Sequence, residues 1–349
     1  MTILVTGAAG FIGSNLVLHL RKAWPSRRIV SLDALTYCGN LENLTSLKDD
    51  PAHVFVKGDI TDRDLVRSVF DIHAPTGVFH LAAESHVDRS ILDPLQFVAT
   101  NVQGTVILLQ EAHRAWKSRT DVRFLHISTD EVFGSLGPSG KFSETTAYAP
   151  QSPYAASKAA SDHFVRAWLN TYKLPVVITN CSNNYGPFQF PDKLIPVVIS
   201  RALAKEAVPV YGQGLNIRDW LYVEDHCQAL RLVFDKGIIG ETYCIGGDSE
   251  VTNIDLVSTI LDILDAKLGH PPQTSRSLIR FVKDRPGHDM RYAIDASKIR
   301  QELGWSPSVT LQAGLDRTVQ WYLNNRQWSD RARSGAHKEF ENTWYSDRR

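Results

Sequence analysis

Tyr154 and Lys158, in the segment YAASK, carry side chains whose spacing suits chemistry. On a helix that spacing puts phenol and ammonium on one face, one turn apart. There a positive charge lowers a phenol whose ordinary pKa is about 10 toward a usable base. A tyrosine and lysine so spaced are, in isolation, more often a surface pair. Their company argues otherwise, because an apolar run upstream closes on Thr129-Asp130-Glu131, a hydroxyl and two adjacent carboxylates. Alcohol oxidation uses the hydroxyl and the phenolic base. Elimination of water needs an acid for the leaving hydroxyl and a base for a proton on carbon, which the two carboxylates can supply. Capping or ion pairing accounts less well for two neighbouring acids at a strand end.

These side chains need a scaffold, and the N-terminus announces one. Gly7, Gly10 and Gly13 lie in GAAGFIG between an apolar run and a segment of helical period. In a strand–turn–helix context such glycines allow a tight turn and let the backbone approach a pyrophosphate at the helix N-terminus. Asp33 ends the next apolar run, where a carboxylate can bind both hydroxyls of an adenosine ribose; Ala34-Leu35 supplies no arginine for a 2′-phosphate, so NAD is favoured over NADP. Asp59 and Ile60, in VKGDI, are expected adenine contacts, although Asp59 and Asp62 would also serve as helix caps.

Buried strands are expected over residues 2–5, 28–32, 53–56, 78–81, 124–128 and 176–179, with helices over 12–23, 62–70, 94–116 and 154–172. This alternation predicts an α/β fold, a Rossmann-type doubly wound parallel sheet spanning residues 1–182. A strand at 219–223 and a helix at 224–234 are expected to return to that domain, as a segment near 218–240. The remainder of 183–330 reads as a smaller mixed α/β substrate cap, and the charged stretch 331–349 as a tail or arm. His80 and His226 are read as structural.

Composition narrows the partners. Lys plus Arg and Asp plus Glu both number 38, so no global field draws the chain to nucleic acid or an anionic membrane. Cys38, Cys181, Cys227 and Cys244 lack paired short spacing, and no His/Cys/Asp pattern suggests a metal. The opening MTILVTGAAG has none of the features of a cleaved leader, and a cytoplasmic protein is expected.

GAAGFIG, Asp33, Asn101, Thr129, Tyr154 and Lys158 resemble the extended short-chain dehydrogenase/reductase family, which includes sugar-nucleotide epimerases, dehydratases and decarboxylases. The resemblance covers nearly the whole chain. TDEVFG, AAESHVDRS at 82–90, CSNNYGPFQFPDKLIP at 181–196 and IRDWLYVEDH at 217–226 are similar to its 4,6-dehydratase branch, with Phe133 where a tyrosine is usual. The resemblance implies a lyase that uses NAD to convert dTDP-glucose to a 4-keto-6-deoxy sugar. Tyr154 would be the base for oxidation, assisted by Thr129, with Lys158 its partner on the nicotinamide ribose; Asp130 would be the acid and Glu131 the base of elimination.

The same resemblance implies cofactor contacts from Phe11, Ile12, Leu81, Ala83 and Asn101. Glu84, Ser85, Asn183, Lys193 and Leu194 would lie near the sugar and diphosphate, and Arg218 and Arg285 would fork onto pyrophosphate. Asn253 and His288 would take phosphate or deoxyribose contacts, and Pro209 and Tyr211 would frame the base, although Asn253 before Ile254 also reads as a helix cap. A homodimer is implied, pairing helices near 95–116 and 155–169. A 4-epimerase, a dehydratase of UDP-, CDP- or GDP-linked sugar, and a catalytically dead NAD-binding scaffold remain the alternatives.

Overall fold

The computed structural model describes residues 1–117, 119–284 and 287–332. Seven strands form the main sheet: β1 (Thr2–Thr6), β2 (Arg28–Asp33), β3 (His53–Lys57), β4 (Gly77–His80), β5 (Arg123–Thr129), β6 (Val176–Cys181) and β10 (Thr242–Ile245). Their order is β10-β6-β5-β4-β1-β2-β3, and every neighbouring pair is parallel. The alternation of side chains along β1 explains why both faces are covered. Ile3 and Val5 point into one cluster with Leu16, Val17 and Leu20 of helix α1 (Phe11–Ala23). Leu4 points into the opposite cluster, with Val66, Val69 and Phe70 of α2 (Arg63–His73). Each such fully enclosed aliphatic side chain contributes about 1.5–3 kcal/mol relative to exposure.

After β4 come the short helices α3 (Val87–Leu92) and α4 (Pro94–Phe97). The helix expected over 94–116 is interrupted: Val98–Gly104 takes π-helical hydrogen bonding before α5 (Thr105–Ala115) resumes the ordinary ladder. Such widened turns concentrate at functional sites, and this one contains Asn101. Helix α6 (Pro153–Tyr172) starts with the Ser152 hydroxyl accepting from the Ala155 amide and with Pro153 in its first turn.

Beyond β6 the chain adds β7 (Asn183–Tyr185), α7 (Leu194–Leu203), β8 (Val208–Tyr211) and β9 (Ile217–Tyr222). Helix α8 (Val223–Lys236) packs against α1 in the large domain. The strand expected at 219–223 pairs elsewhere: β9 lies between β7 and β11 (Glu250–Thr252) in a three-stranded sheet. The seventh strand of the main sheet is instead β10, a four-residue run, TYCI, too short to signal itself. Helix α9 (Asn253–Leu268), β12 (Ile279–Val282) paired with β8, α10 (Ser297–Leu303), α11 (Leu311–Asn324) and α12 (Arg326–Ala332) complete the described chain. The cap has its own core, in which Ile195 and Val198 of α7 meet Leu256, Ile260 and Leu264 of α9 and Leu315 and Val319 of α11. Of the expected tail, 333–349 lies outside the described residues. Among the described residues no helix is long and apolar enough to cross a membrane.

Candidate active site

Strand order reverses across β1, whose neighbours are β2 and β4, and the crevice at the carboxyl ends of strands beside such a switch is where open α/β sheets take ligands. One cleft there is lined by residues from Gly7 to Lys193. Gly7 has φ +68°, and a Cβ on it would lie 2.7 Å from the Ala82 amide nitrogen; one on Gly13 would lie 1.9 Å from the Gly7 carbonyl. Gly10 caps α1 without a side-chain hydrogen bond, leaving first-turn amides for an anion. Phe11 and Ile12 line the same wall.

Asp33 is 9% exposed. Its oxygens accept from the Ala9 and Leu35 amides at 2.9 and 2.8 Å. Burial raises its pKa while those amides pull it down. Asp59 lines the cleft, yet its Oδ1 also accepts from the Thr61 amide and hydroxyl at 2.8 Å, while Asp62 is the cap of α2. Ile60, Leu81 and Ala83 complete this half. The glycine cradle, the uncapped helix start and Asp33 suit a dinucleotide pyrophosphate and ribose, so these residues fit NAD.

Asn101, expected at the cofactor, sits behind the wall. It is buried, accepts from the Glu84 amide at 2.8 Å, and donates to the Glu84 carbonyl and the Ser157 hydroxyl at 3.0 and 2.8 Å. It braces the loop carrying Glu84 and Ser85 against α6.

The end of β5 delivers the acids. Thr129 Oγ1 accepts from the Glu131 amide and donates to Asp130 Oδ1, both at 3.3 Å. Asp130 is 2% exposed, and its Oδ2 has no hydrogen-bond partner among the described residues. Burial first, then the charges of Glu131 and Asp219, push its pKa well above the usual carboxylate range, against an opposing pull from Arg218. Burial thus favours the protonated carboxyl at Asp130, the direction a general acid requires. Glu131 lines the cleft beside it.

Tyr154 and Lys158 both line the cleft from α6. Their electrostatics depart from expectation. Lys158 Nζ donates to the Ile127 carbonyl at 2.9 Å. The Tyr154 phenol is pushed up by burial, Glu131, Cys181 and Asp130, and drawn down by its hydrogen bond with Thr129. Within the chain, the hydroxyl of Thr129 favours phenolate, while the two acids oppose it. Sequence reading missed what lies beneath: Asp162, fully buried, accepts from Ser128 Oγ and Tyr148 OH at 2.9 and 2.8 Å and bonds His126 at 3.0 Å. Its position one turn past Lys158, in YAASKAASD, was the available signal. His80, between Thr6 and Thr105 hydroxyls, has its pKa pushed well below the usual histidine value by burial; His226 bonds Asn184 and is lowered to about 3 by burial.

Glu84, Ser85, Asn183 and Lys193 line the same cleft, with Lys193 Nζ on the Ser85 carbonyl at 3.0 Å. Burial raises the Glu84 pKa. Leu194 starts α7 and packs on the cap core. Pro209 and Tyr211 lie on β8, and Tyr211 OH donates to Asp88 at 3.3 Å. Arg218 stacks over Tyr292, 4.2 Å from its ring centre, and donates to the Asp289 carbonyl at 2.9 Å. Asn253 is not the cap of α9; Thr252 is, accepting from the Asp255 amide at 3.2 Å, and Asn253 Oδ1 is buried without a hydrogen bond among the described residues. His288 pairs with Asp284 at 2.6 Å. Arg285 lies outside the described residues.

Comparison with known proteins gives a consistent picture. A family model described as GDP-mannose 4,6 dehydratase matches residues 4–318. A dTDP-glucose 4,6-dehydratase of Xanthomonas campestris pv. campestris is 55% identical over 346 residues, covering 97% of each chain. A dTDP-glucose 4,6-dehydratase of Streptomyces venezuelae, solved with NAD bound, superposes with a TM-score of 0.88 at 46% identity, covering 95% of this chain and 100% of that one. A UDP-glucose 4-epimerase of Thermotoga maritima, solved with UDP-glucose, gives 0.83 at 29% identity, covering 93% and 100%.

Proposed function

The chain belongs to the GDP-mannose 4,6-dehydratase family of NAD-dependent epimerases and dehydratases, and we propose that it converts dTDP-glucose to dTDP-4-keto-6-deoxy-glucose and water. The observation that carries this reading is the buried Asp130, its pKa raised, beside Glu131 in the same cleft as Thr129, Tyr154 and Lys158. An epimerase has no use for that second acid–base pair. The relatives' full-length similarity supports the same substrate.

Gly7, Gly10 and Gly13 would hold the NAD pyrophosphate, Asp33 the adenosine ribose, and Lys158 the nicotinamide ribose. When bound, NAD supplies the acceptor for the C4 hydride and its donor at C6. Tyr154, with Thr129 hydrogen-bonded to it, removes the O4 proton. The resulting C4 carbonyl acidifies the C5 proton, which Glu131 takes, while Asp130 gives its proton to the C6 hydroxyl and water leaves. Glu131 returns its proton to C5. The count closes when Asp130 regains the equivalent that Tyr154 took up.

The test is incubation of purified protein with dTDP-glucose and its UDP, CDP and GDP counterparts, following sugar-nucleotide mass. Loss of one water from the dTDP sugar alone supports the reading; unchanged mass with every sugar, with NAD supplied, defeats it. The proposed setting is the cytoplasm, consistent with four free cysteines. A homodimer is proposed as well, through the helices near 95–116 and 155–169, where Leu95, Val98 and Phe164 are exposed. Sedimentation equilibrium at monomer mass would exclude it.

A further inference from the structure

The glycine cradle is tied to the end of the described chain by a buried relay. Trp328 in α12 donates its indole N–H to Asn43 Oδ1 at 2.9 Å, across 285 residues of sequence. The same amide donates from Nδ2 to the Ala9 carbonyl at 3.1 Å, inside the cradle. Ala9 in turn donates its N–H to Asp33 Oδ2 at 2.9 Å. Asn43 is 3% exposed and Trp328 7%, so neither end of the relay is exchangeable with water at no cost.

The segment that leads to Asn43 borders the cleft. Thr36, Tyr37, Cys38 and Gly39 line it beside Asp33. The chain then enters a 3₁₀ turn, Leu41–Leu47, whose Leu44 and Leu47 pack into the α1 core. Trp328 is fixed from the other side by ring contacts with Trp321 at 4.9 Å and Phe188 at 6.3 Å. Arg331 adds a two-pronged pair to Glu42 at 2.9 and 2.7 Å, which is exposed and contributes little.

We propose that residues 36–47 and α12 form a latch behind the adenosine end of the cleft, and that Trp328, acting through Asn43, is a positioning residue for retention of NAD. The proposal rests on the NAD reading above. Its chemical sense is that the proposed reaction begins and ends with the same oxidation state of the cofactor, so nothing in turnover requires NAD to leave. A cap helix bonded to the cradle slows departure without touching the sugar.

The experiment loads the whole protein with radiolabelled NAD and follows release during a chase with unlabelled NAD. Trp328→Phe keeps an aromatic ring but deletes the N–H with the pyrrole half of the indole, as Trp321→Phe does beside it, and should release label about tenfold faster. Asn43→Asp keeps the acceptor for Trp328, deletes the donor to Ala9, and should also release faster. The double variant should differ little from Asn43→Asp alone, because the two bonds act in series. Trp321→Phe, in the same aromatic cluster, should release at the wild-type rate. Wild-type release from a folded Trp328→Phe protein overturns the latch, as do equal acceleration by Trp321→Phe or additive effects in the double variant. If Trp328→Phe does not fold, Asn43→Asp decides: faster release supports the latch and an unchanged rate overturns it. A wild-type protein that takes up no label, and from which acid releases no NAD, defeats the NAD reading and the latch together.

Discussion

Asp162 lies one turn beyond Lys158 on α6, and both are enclosed, at 0% and 5% exposure. The carboxylate favours the charged lysine, whose pKa burial otherwise lowers. It is itself held below the ordinary carboxylate value: burial pushes up, but bonds with His126 and Tyr148 and the charge of Lys158 together outweigh it. Leaving such a charge unpartnered costs about 3–5 kcal/mol.

Asp162→Asn should therefore lower unfolding stability by about 3–5 kcal/mol near neutral pH, read from the denaturant midpoint. Its folded pKa is depressed, so its contribution is present above the ordinary value of 3.8 and is lost as pH falls through the folded pKa. The stability gap between wild type and variant should accordingly close in acid. A gap that widens in acid would contradict the assignment.

Asp130→Asn tests the raised carboxyl from the opposite sign. A carboxyl raised in the fold is best tolerated at low pH and costs stability as pH climbs above the unfolded value of 3.8. The permanently neutral amide should thus be more stable than wild type at neutral pH, with the advantage shrinking toward acid in thermal melts. Dehydration should fall by about 10²–10⁴. Loss of stability at neutral pH would mean that Asp130 is ionised and paired.

Glu131→Gln should remove the base for C5. In deuterium oxide the wild type should deliver deuterium to C5 of the product, and the variant should neither exchange C5 nor lose water, a drop of about 10²–10⁴ in rate. Exchange at the wild-type rate would assign the base elsewhere.

Gly13→Ala places a methyl group 1.9 Å from the Gly7 carbonyl oxygen. The turn cannot hold both, so the purified variant should retain no NAD and melt at a lower temperature. NAD retained at wild-type stoichiometry, measured after acid release, would show that the cradle is looser than its geometry.

What the sequence alone determined is local. Short apolar runs, glycines at a strand–helix junction and carboxylates next to a strand end follow from neighbouring residues, so β1 to β6, the cradle, Asp33, and Thr129 with Asp130, Glu131, Tyr154 and Lys158 could be read in order. The tertiary structure decided the rest because it depends on segments far apart in the chain. The raised pKa of Asp130 follows from burial by packing and from Asp219 on β9, against the pull of Arg218 on the same strand. Asn101 became a brace because a π-helical turn and the Glu84 loop meet α6 there. The TYCI run became the seventh strand only by finding β6 beside it. Trp328 reaches Asn43 because the cap folds back over the first lobe, a contact between segments too distant for any local pattern to encode.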